Sequence, residues 1–406
     1  MVCSPWAPSV VAVDPGTGVQ RVLSTGGVMV HPEGAAIGMD GALYVVDPDA
    51  GSGGRGLVLR IDPSSGAQTV VCASTAFLDP NGIVADTDGT LLVADPDAFS
   101  TPPQAGPGAV FRVWPDTGAV QVVSSLGLLV YPFGLTFDPQ RRIMVADGHL
   151  DGSGGVVKVD PLTGAQQRVA SGPLFDFPVG VATEAAGTLV VSNFAAAAHG
   201  DLVRVNPTTG VVTVLASDFH NPAGVAVEAS GSIVTSDYRG GTVVRVDPAS
   251  GAETTVASGP PMVVPDSGGQ PSGPFGICAV PAFADFSAHL SIRVPQQHAP
   301  DAFEVNGTFA LAATSNGISP TREVVTARVG ECSVTVPAGA FRALPHDRYQ
   351  FSGPLGGGTV VATIERSGTS WSYRFTANGV DLGVLPDPVP VTLFIGDEGG
   401  RSEVEP

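Results

Sequence analysis

Carboxylates gather at three similar places in this chain. Asp47-Pro48-Asp49, Asp95-Pro96-Asp97 and Asp147-Gly148-His149-Leu150-Asp151 each close an apolar run. Each leads into Gly-rich sequence, at Gly51–Gly54, Gly106–Gly108 and Gly152–Gly155. Carboxylates this close raise each other's proton affinity unless a cation neutralises them. Ca²⁺ or another divalent cation is the cofactor class this pattern suggests, with Asp49, Asp97 and Asp151 as candidate ligands. The first Asp of each group has a second explanation. It recurs at Asp237, so a loop cap that accepts hydrogen bonds from backbone N–H groups accounts for it without metal. None of the three loops has EF-hand spacing.

A second set of candidates lies inside a recurring Pro-x-Gly. It stands at Pro32-Glu33-Gly34, Pro80-Asn81-Gly82, Pro132-Phe133-Gly134, Pro178-Val179-Gly180, Pro222-Ala223-Gly224 and Pro274-Phe275-Gly276. Glu33 and Asn81 offer oxygen ligands, and the other four middle residues are apolar. A hard cation takes six or more oxygens, so two side chains need help from water or from Asp79 and Asn221. Without metal, Glu33 and Asn81 are polar turn residues. Phe133, Val179 and Phe275, with Tyr131, Phe177 and Phe219 close by in sequence, read either as an apolar ligand recess or as packing that plugs a channel.

The elements that must position these residues form a repeat. Successive Pro-x-Gly prolines are 48, 52, 46, 44 and 52 residues apart. Between them lies a strand ending in Asp or Asn, as at Val46-Asp47, Ala94-Asp95, Ala146-Asp147, Ser192-Asn193 and Ser236-Asp237. A Pro-x-x-Gly turn follows, ending at Gly18, Gly66, Gly118, Gly164, Gly210 or Gly251. Proline fixes φ early in that turn, Asp or Asn caps it, and Gly takes the positive-φ position. Four short strands at a period of about 40–50 residues are the pattern of a β-propeller. One such sheet cannot bury both faces alone, so copies must stack. A single cation precedes five of the six turns, at Arg60, Arg112, Lys158, Arg204 and Arg245, and reads as a scaffold ion pair or packed stem.

Aligning Asp14-Pro15 on Asp247-Pro248 starts the chain inside the second strand of a blade. Residues 274–280 then supply the missing first strand, and their pairing with the N-terminus closes the ring. The same alignment suggests that upstream sequence is absent, through a late start or a fragment, so the missing signal sequence says little about location. Cys3 and Cys278 fall on neighbouring strands, either as a disulfide clasp or as two free buried thiols. No Cys-x-x-Cys is present, which excludes a zinc ribbon or thioredoxin-like motif.

After residue 282 the repeat stops. Gln296–Asp301 reads as a loop, followed by strand-like runs at Phe303–Leu311, Val324–Val329, Ser333–Val336, Tyr349–Phe351, Val360–Ile364, Trp371–Phe375 and Val389–Ile395. Ser367-Gly368 and Asn378-Gly379 read as hairpin turns. Roughly seven strands over residues 283–406 suggest a β-sandwich of immunoglobulin-like shape, without the Cys…Trp…Cys pattern of a true immunoglobulin domain. The acidic end from Gly396 to Glu405 reads as a solvated tail.

The net charge of −19 over 406 residues argues against nucleic acid and anionic membrane as partners. No apolar run is long enough to span a bilayer. No Gly-x-Ser-x-Gly nucleophile elbow occurs, and His31, His149, His199 and His220 fall in loops.

Arg-Val-Asp-Pro-x-Ser-Gly at Arg245–Gly251 and the strand pattern at Gly89–Asp95 resemble six-bladed propellers of the superfamily containing NHL-repeat proteins, virginiamycin B lyase and the gluconolactonase–regucalcin enzymes. The likeness covers residues 1 to about 280 and is nearest to bacterial NHL-like repeat proteins. It implies Pro-x-Gly turns around a channel mouth, crowned by the loops between second and third strands. Gluconolactonase-like enzymes hold a divalent metal there with Glu, Asn and Asp, which Glu33 and Asn81 resemble. The lyase uses a His and a Glu with metal, which makes His31-Pro32-Glu33 a candidate base and ligand. Its Trp-Phe-Thr-Glu strands are absent.

The expected fold is all-β: a six-bladed propeller over 1–282 and a sandwich with an acidic tail over 283–406. The expected function is non-catalytic binding of a protein or small molecule at an acidic, partly apolar face. The alternative is a metal-dependent lactonase or lyase. A monomer outside the cytoplasm, extracellular or periplasmic, is expected.

Overall fold

The computed structural model describes residues 1–38, 42–63, 65–86, 88–99, 107–194, 200–228, 230–265, 271–279, 287–293, 301–311, 318–321, 325–329, 332–337, 339–355, 358–380, 382, 389–395 and 398–404. His199, Gly106, Val324, Gly396, Asp397, Glu405 and the 296–300 part of the expected loop lie outside them. The described chain is almost entirely antiparallel β-sheet, and it divides into two compact units that meet in sequence near residue 280.

The first unit is a series of small sheets. Strands β1–β3 (Val2–Ser4, Ser9–Val13, Gln20–Thr25) make a three-stranded sheet. Five four-stranded sheets follow. The first two are β4–β7 (Ala35–Ile37, Leu43–Gly51, Arg55–Ile61, Gln68–Cys72) and β8–β11 (Gly82–Ala85, Leu91–Asp95, Ala109–Trp114, Ala119–Ser125). The next two are β12–β15 (Pro132–Phe137, Ile143–Asp147, Gly155–Val159, Gln166–Ser171) and β16–β19 (Pro178–Thr183, Leu189–Asn193, Gly200–Val205, Val212–Phe219). The last is β20–β23 (Pro222–Val227, Ile233–Asp237, Thr242–Val246, Glu253–Ser258). Consecutive strands pair throughout, which is the blade topology of a β-propeller.

Burial explains why the strands lack clean alternation. The second strands β9, β13, β17 and β21 are buried at every position, because both faces meet neighbouring sheets. The fourth strands are mostly exposed or half-buried and carry exposed residues such as Val70, Val122 and Val214. Separate apolar cores fill the gaps between sheets. One joins Val46 and Val58 to Leu91 and Phe111, and another joins Ala182 and Leu202 to Val225 and Ile233. A further core joins Val243 and Ala257 of the last sheet to Val2 and Val11 of the first.

The innermost strands approach so closely that only glycine fits. A Cβ added to Gly34 would overlap the Asn81 carbonyl, and one on Gly82 that of Phe133. The relay continues from Gly134 to Val179, Gly180 to Ala223, Gly224 to Phe275, and Gly276 to Glu33. The turns behave as their chemistry requires: Gly18, Gly66, Gly118, Gly164, Gly210 and Gly251 all have φ of 68–73°. The Asp14 carboxylate accepts from the Gly16 and Thr17 N–H groups, and Asp160, Asn206 and Asp247 repeat the pattern.

Three of the per-blade cations, Arg112, Arg204 and Arg245, are scaffold ion pairs. Arg204 pairs with Glu184 at 2.6 Å and donates to the Pro248 carbonyl of the next sheet's turn. Arg245 likewise pairs with Glu228 at 2.6 Å and donates to the Pro15 carbonyl. Cys3 and Cys278 are free thiols. Burial raises both, and the buried Cys3 feels Cys278 as a second cause.

In the second unit, β26–β35 span His289–Arg293, Asp301–Ala310, Val325–Val329, Cys332–Val336, Arg342–Leu344, Arg348–Leu355, Gly358–Ser367, Ser370–Val380, Val389–Ile395 and Glu398–Val404; the short β24 and β25 (Val264–Pro265, Pro271–Ser272) precede them in the first unit. A six-stranded sheet, β26-β27-β33-β32-β31-β30, and a four-stranded sheet, β29-β28-β34-β35, enclose one core that includes Phe303, Phe375, Val325 and Leu393. Two expectations are corrected here. Glu398–Val404 is a strand paired with Val389–Ile395 rather than a solvated tail; charged residues suit an edge strand, where one side stays wet. Asn378-Gly379 lies inside β33 rather than in a hairpin turn, and Gly379 takes φ 82° beside a bulge in the pairing with β27. Ser367-Gly368 does end one strand of a hairpin.

Candidate functional site

Three second-strand aspartates are staples: Asp95 and Asp147 end β9 and β13, while Asp47 lies within β5, which runs on to Gly51 rather than ending at Asp47 as the repeat suggested. Asp47 is fully buried, and its carboxylate accepts from the N–H groups of Val30, His31 and Asp49 at 2.7, 2.9 and 3.1 Å. Asp95 accepts from Leu78, Asp79 and Asp97, and Asp147 from Val130, Tyr131 and His149. Each therefore fixes its own loop and also the segment just before the Pro-x-Gly turn of its blade. Burial pushes Asp95 up to about 6, against the pull of its N–H donors.

Those staples bring a crowded polar set together. Glu33 and Asn81 both line a narrow cavity of about 80 Å³ at the meeting of the six Pro-x-Gly turns, together with Phe133, Val179, Ala223 and Phe275. Glu33 is 13% exposed, and its Oε2 is buried without a hydrogen-bond partner. The His31 Nδ1 stands 3.6 Å from Glu33 Oε1 and 3.7 Å from Asp49 Oδ2, while the buried His31 Nε2 has no partner. Burial first, then the charges of Asp79, Asp47 and Asp49, hold Glu33 well above the usual carboxylate range. Burial, then Asp95, Asp97 and Asp49, push Asp79 up to about 7, while a hydrogen bond from Asn81 opposes them. Burial lowers His31 despite Asp49 and Asp47, which favours its neutral form. Among the described residues no Arg or Lys pairs with Glu33 or Asp79.

Aromatic rings flank this set on both sides. Tyr131 is one boundary: burial, then Asp97, Asp79 and Glu33, raise its phenol to about 12. Its ring stacks on His149 at 5.0 Å and meets Phe133 edge-on at 4.9 Å. Phe177 contacts all three of these rings, from a left-handed backbone (φ 57°) that is uncommon for a non-glycine residue. Trp6 is the other boundary, edge-on to His31 at 5.4 Å and donating from Nε1 to the Tyr238 hydroxyl. Tyr238, Phe194 and Phe275 form a mutual cluster at 6.0 Å spacings. The Phe194 N–H donates to the Phe177 carbonyl and links the two groups.

The candidates thus divide. His31, Glu33, Asp49, Asn81, Phe133, Val179 and Phe275 are brought together, and Asp97 joins them through Asp79 and Tyr131. Asp151 is engaged elsewhere, paired with Arg168 at 2.7 Å and accepting from Ser171. Phe219 is core, packed with Leu202 and Ile233. Trp6, Phe194 and Tyr238 were not signalled by the repeat, because they stand in loops just beyond it. As a metal site the set is short of donors: among the described residues no three His, Cys, Asp or Glu side chains come together to hold an ion.

No family model matches the sequence, and no curated protein matches it. Solved structures do. A gluconolactonase from Xanthomonas campestris is 18% identical, with a TM-score of 0.46 over 57% of this chain and 76% of that one. A PQQ-bound aldose sugar dehydrogenase from Streptomyces coelicolor is 15% identical, with a TM-score of 0.48 over 78% and 96%. Virginiamycin B lyase from Staphylococcus aureus is 12% identical, with a TM-score of 0.42 over 84% and 94%. At these identities and TM-scores the likenesses carry no functional argument, and the chemistry must be argued from the chain's own residues.

Proposed function

We propose that residues 1–282 form a six-bladed propeller acting as a non-catalytic binding module, with residues 283–406 as an appended β-sandwich. Two observations support ring closure. The Gly276 carbonyl accepts from the Cys3 N–H, and the Cys3 carbonyl from the Phe275 N–H. The Gly276–Glu33 approach and the Val2–Val243 core join the last sheet to the first.

The observation that carries the binding role is Glu33: a nearly buried carboxyl, without an Arg or Lys partner among the described residues, lining the axial cavity with an orphaned oxygen. A buried polar group without a partner costs about 1–3 kcal/mol, so a ligand that satisfies it gains that much on entry. The cavity is too small for a drug-sized molecule, whose pockets start near 300 Å³. The ligand therefore inserts a small polar group and rests its remaining surface on the surrounding rings.

A divalent-metal lactonase or lyase is the second reading, favoured by Glu33 and Asn81 sharing one cavity. Glu33, Asn81, Asp49, Asp97 and Asp79 are the residues it would draw on. It requires a third oxygen ligand to close on the ion, and no catalytic step is assigned to it. A thermal-shift screen of wild type and Glu33→Gln tests both readings with organic ions, lactones, Ca²⁺, Mg²⁺ and Zn²⁺. A ligand at about 100 times its Kd stabilises by about 2.7 kcal/mol. A shift that disappears in Glu33→Gln supports the site; metal-dependent lactone turnover supports the second reading; no Glu33-dependent shift with any probe refutes both.

A further inference from the structure

We propose that the ligand of this mouth is an organic cation, an ammonium or similar group on an aromatic or alkyl body, with its charged head at Glu33 and Asp79. This inference rests on the reading of the mouth as a binding site and names what enters it.

The donor and acceptor balance comes first. Glu33 Oε2 and His31 Nε2 are both buried and unpartnered, and Asp79 stands close enough to raise Glu33. Both unpartnered atoms can accept a hydrogen bond, Nε2 in the tautomer that carries its proton on Nδ1, so the mouth offers acceptors without matched donors at Glu33 and His31. An ammonium has the complementary inventory, with up to three donors and no acceptor. Its charge would also offset the burial and the neighbouring carboxylates that raise Glu33 and Asp79. A carboxylate or phosphate ligand would add to that crowding. A bare divalent ion would meet too few oxygens, since among the described residues no group of three His, Cys, Asp or Glu side chains is placed to hold one.

The walls give the second half of the argument. Tyr131, Phe133 and Phe177 bound one side, and Trp6, Tyr238 and Phe275 the other. Aromatic faces attract cations and cover the apolar part of a ligand. A cavity of about 80 Å³ takes a head group and leaves the body at these rings. The charged groups around the head are Glu33, His31, Asp49, Asp47, Asp79, Asp95 and Asp97, and Arg239 lies over the Tyr238 ring at 5.2 Å. The acidic groups must ionise to hold a cation, so binding releases protons and tightens as pH rises from 6 to 8.

Titration calorimetry of the full chain with phenethylamine tests this, against 2-phenylethanol, phenylacetate, methylamine and CaCl₂. The expected result is phenethylamine binding at least about tenfold tighter than 2-phenylethanol or methylamine, with no phenylacetate binding. Proton release should appear as a heat that varies with buffer ionisation enthalpy. Glu33→Gln should lose about tenfold or more, Phe133→Ala should narrow the preference over methylamine, and Glu365→Gln in the second unit should change nothing. If Glu33→Gln misfolds, Asp79→Asn and the wild-type proton release carry the same test. Equal binding of the amine and the alcohol overturns the inference. Glu33-dependent binding of CaCl₂ or a lactone, with amines inert, overturns it too but leaves the mouth as a site. Absence of binding by all probes overturns the inference together with the reading beneath it.

Discussion

The propeller treats its carboxylates in two opposite ways. At the turns that follow the first strands, Asp86, Glu184 and Glu228 face Arg112, Arg204 and Arg245, and two of these arginines reach on to the next blade. At the other end of the same strands, Glu33 and Asp79 share a partly buried space with further carboxylates and no arginine partner among the described residues. The first arrangement holds neighbouring blades together. The second costs stability, because burial penalises the ionised form and like charges add to it. A fold that can pair carboxylates elsewhere leaves these two without an Arg or Lys partner among the described residues, which is why they mark the proposed site.

The comparison sharpens most where a carboxylate is satisfied only by backbone. Asp147→Ala orphans three N–H groups in a buried loop junction and should cost about 3 kcal/mol in denaturant unfolding. Arg204→Ala breaks the Glu184 pair and the tie to Pro248, and should cost about 2 kcal/mol. Glu33→Gln should do the reverse, stabilising by about 1 kcal/mol at pH 8 and not at pH 4, where Glu33 is already neutral. A clear loss of stability in Glu33→Gln at pH 8 would break the contrast.

The pH dependence follows from Asp79. Its folded pKa, about 7, lies above the ordinary value of 3.8, so the folded state binds the proton more tightly. Its contribution is fully present below about pH 4 and is lost as pH rises through about 7. Melting temperature should fall over that window, and Asp79→Asn should flatten the slope. The smallest effect belongs to Asp151→Asn, which removes an exposed pair with Arg168 and should change stability by less than about 0.5 kcal/mol.

The scaffold was legible because its turns have few chemical solutions. Gly251 must take positive φ and Gly34 must lack a Cβ, so both recur at fixed offsets. Glu33, Asn81, Phe133, Val179 and Phe275 could be grouped because one repeat position repeats one place in space. Trp6, Phe194 and Tyr238 could not, since each enters from a loop whose length and composition vary between blades. Asp151 looked like Asp49 and Asp97 in sequence, yet a left-handed turn (φ 52°) gives it to Arg168. Glu398–Val404 was misread because composition alone does not separate a charged edge strand from a tail.

The most direct test is a pH titration of the side-chain carboxyl ¹³C signals of Glu33 and Asp79, each assigned by its amide variant. The account predicts that Asp79 titrates near pH 7 and Glu33 well above the usual carboxylate range, with both falling when phenethylamine is added. Ordinary titration of both near pH 4, unchanged by any added cation, would mean that the mouth is already neutralised and would contradict the account.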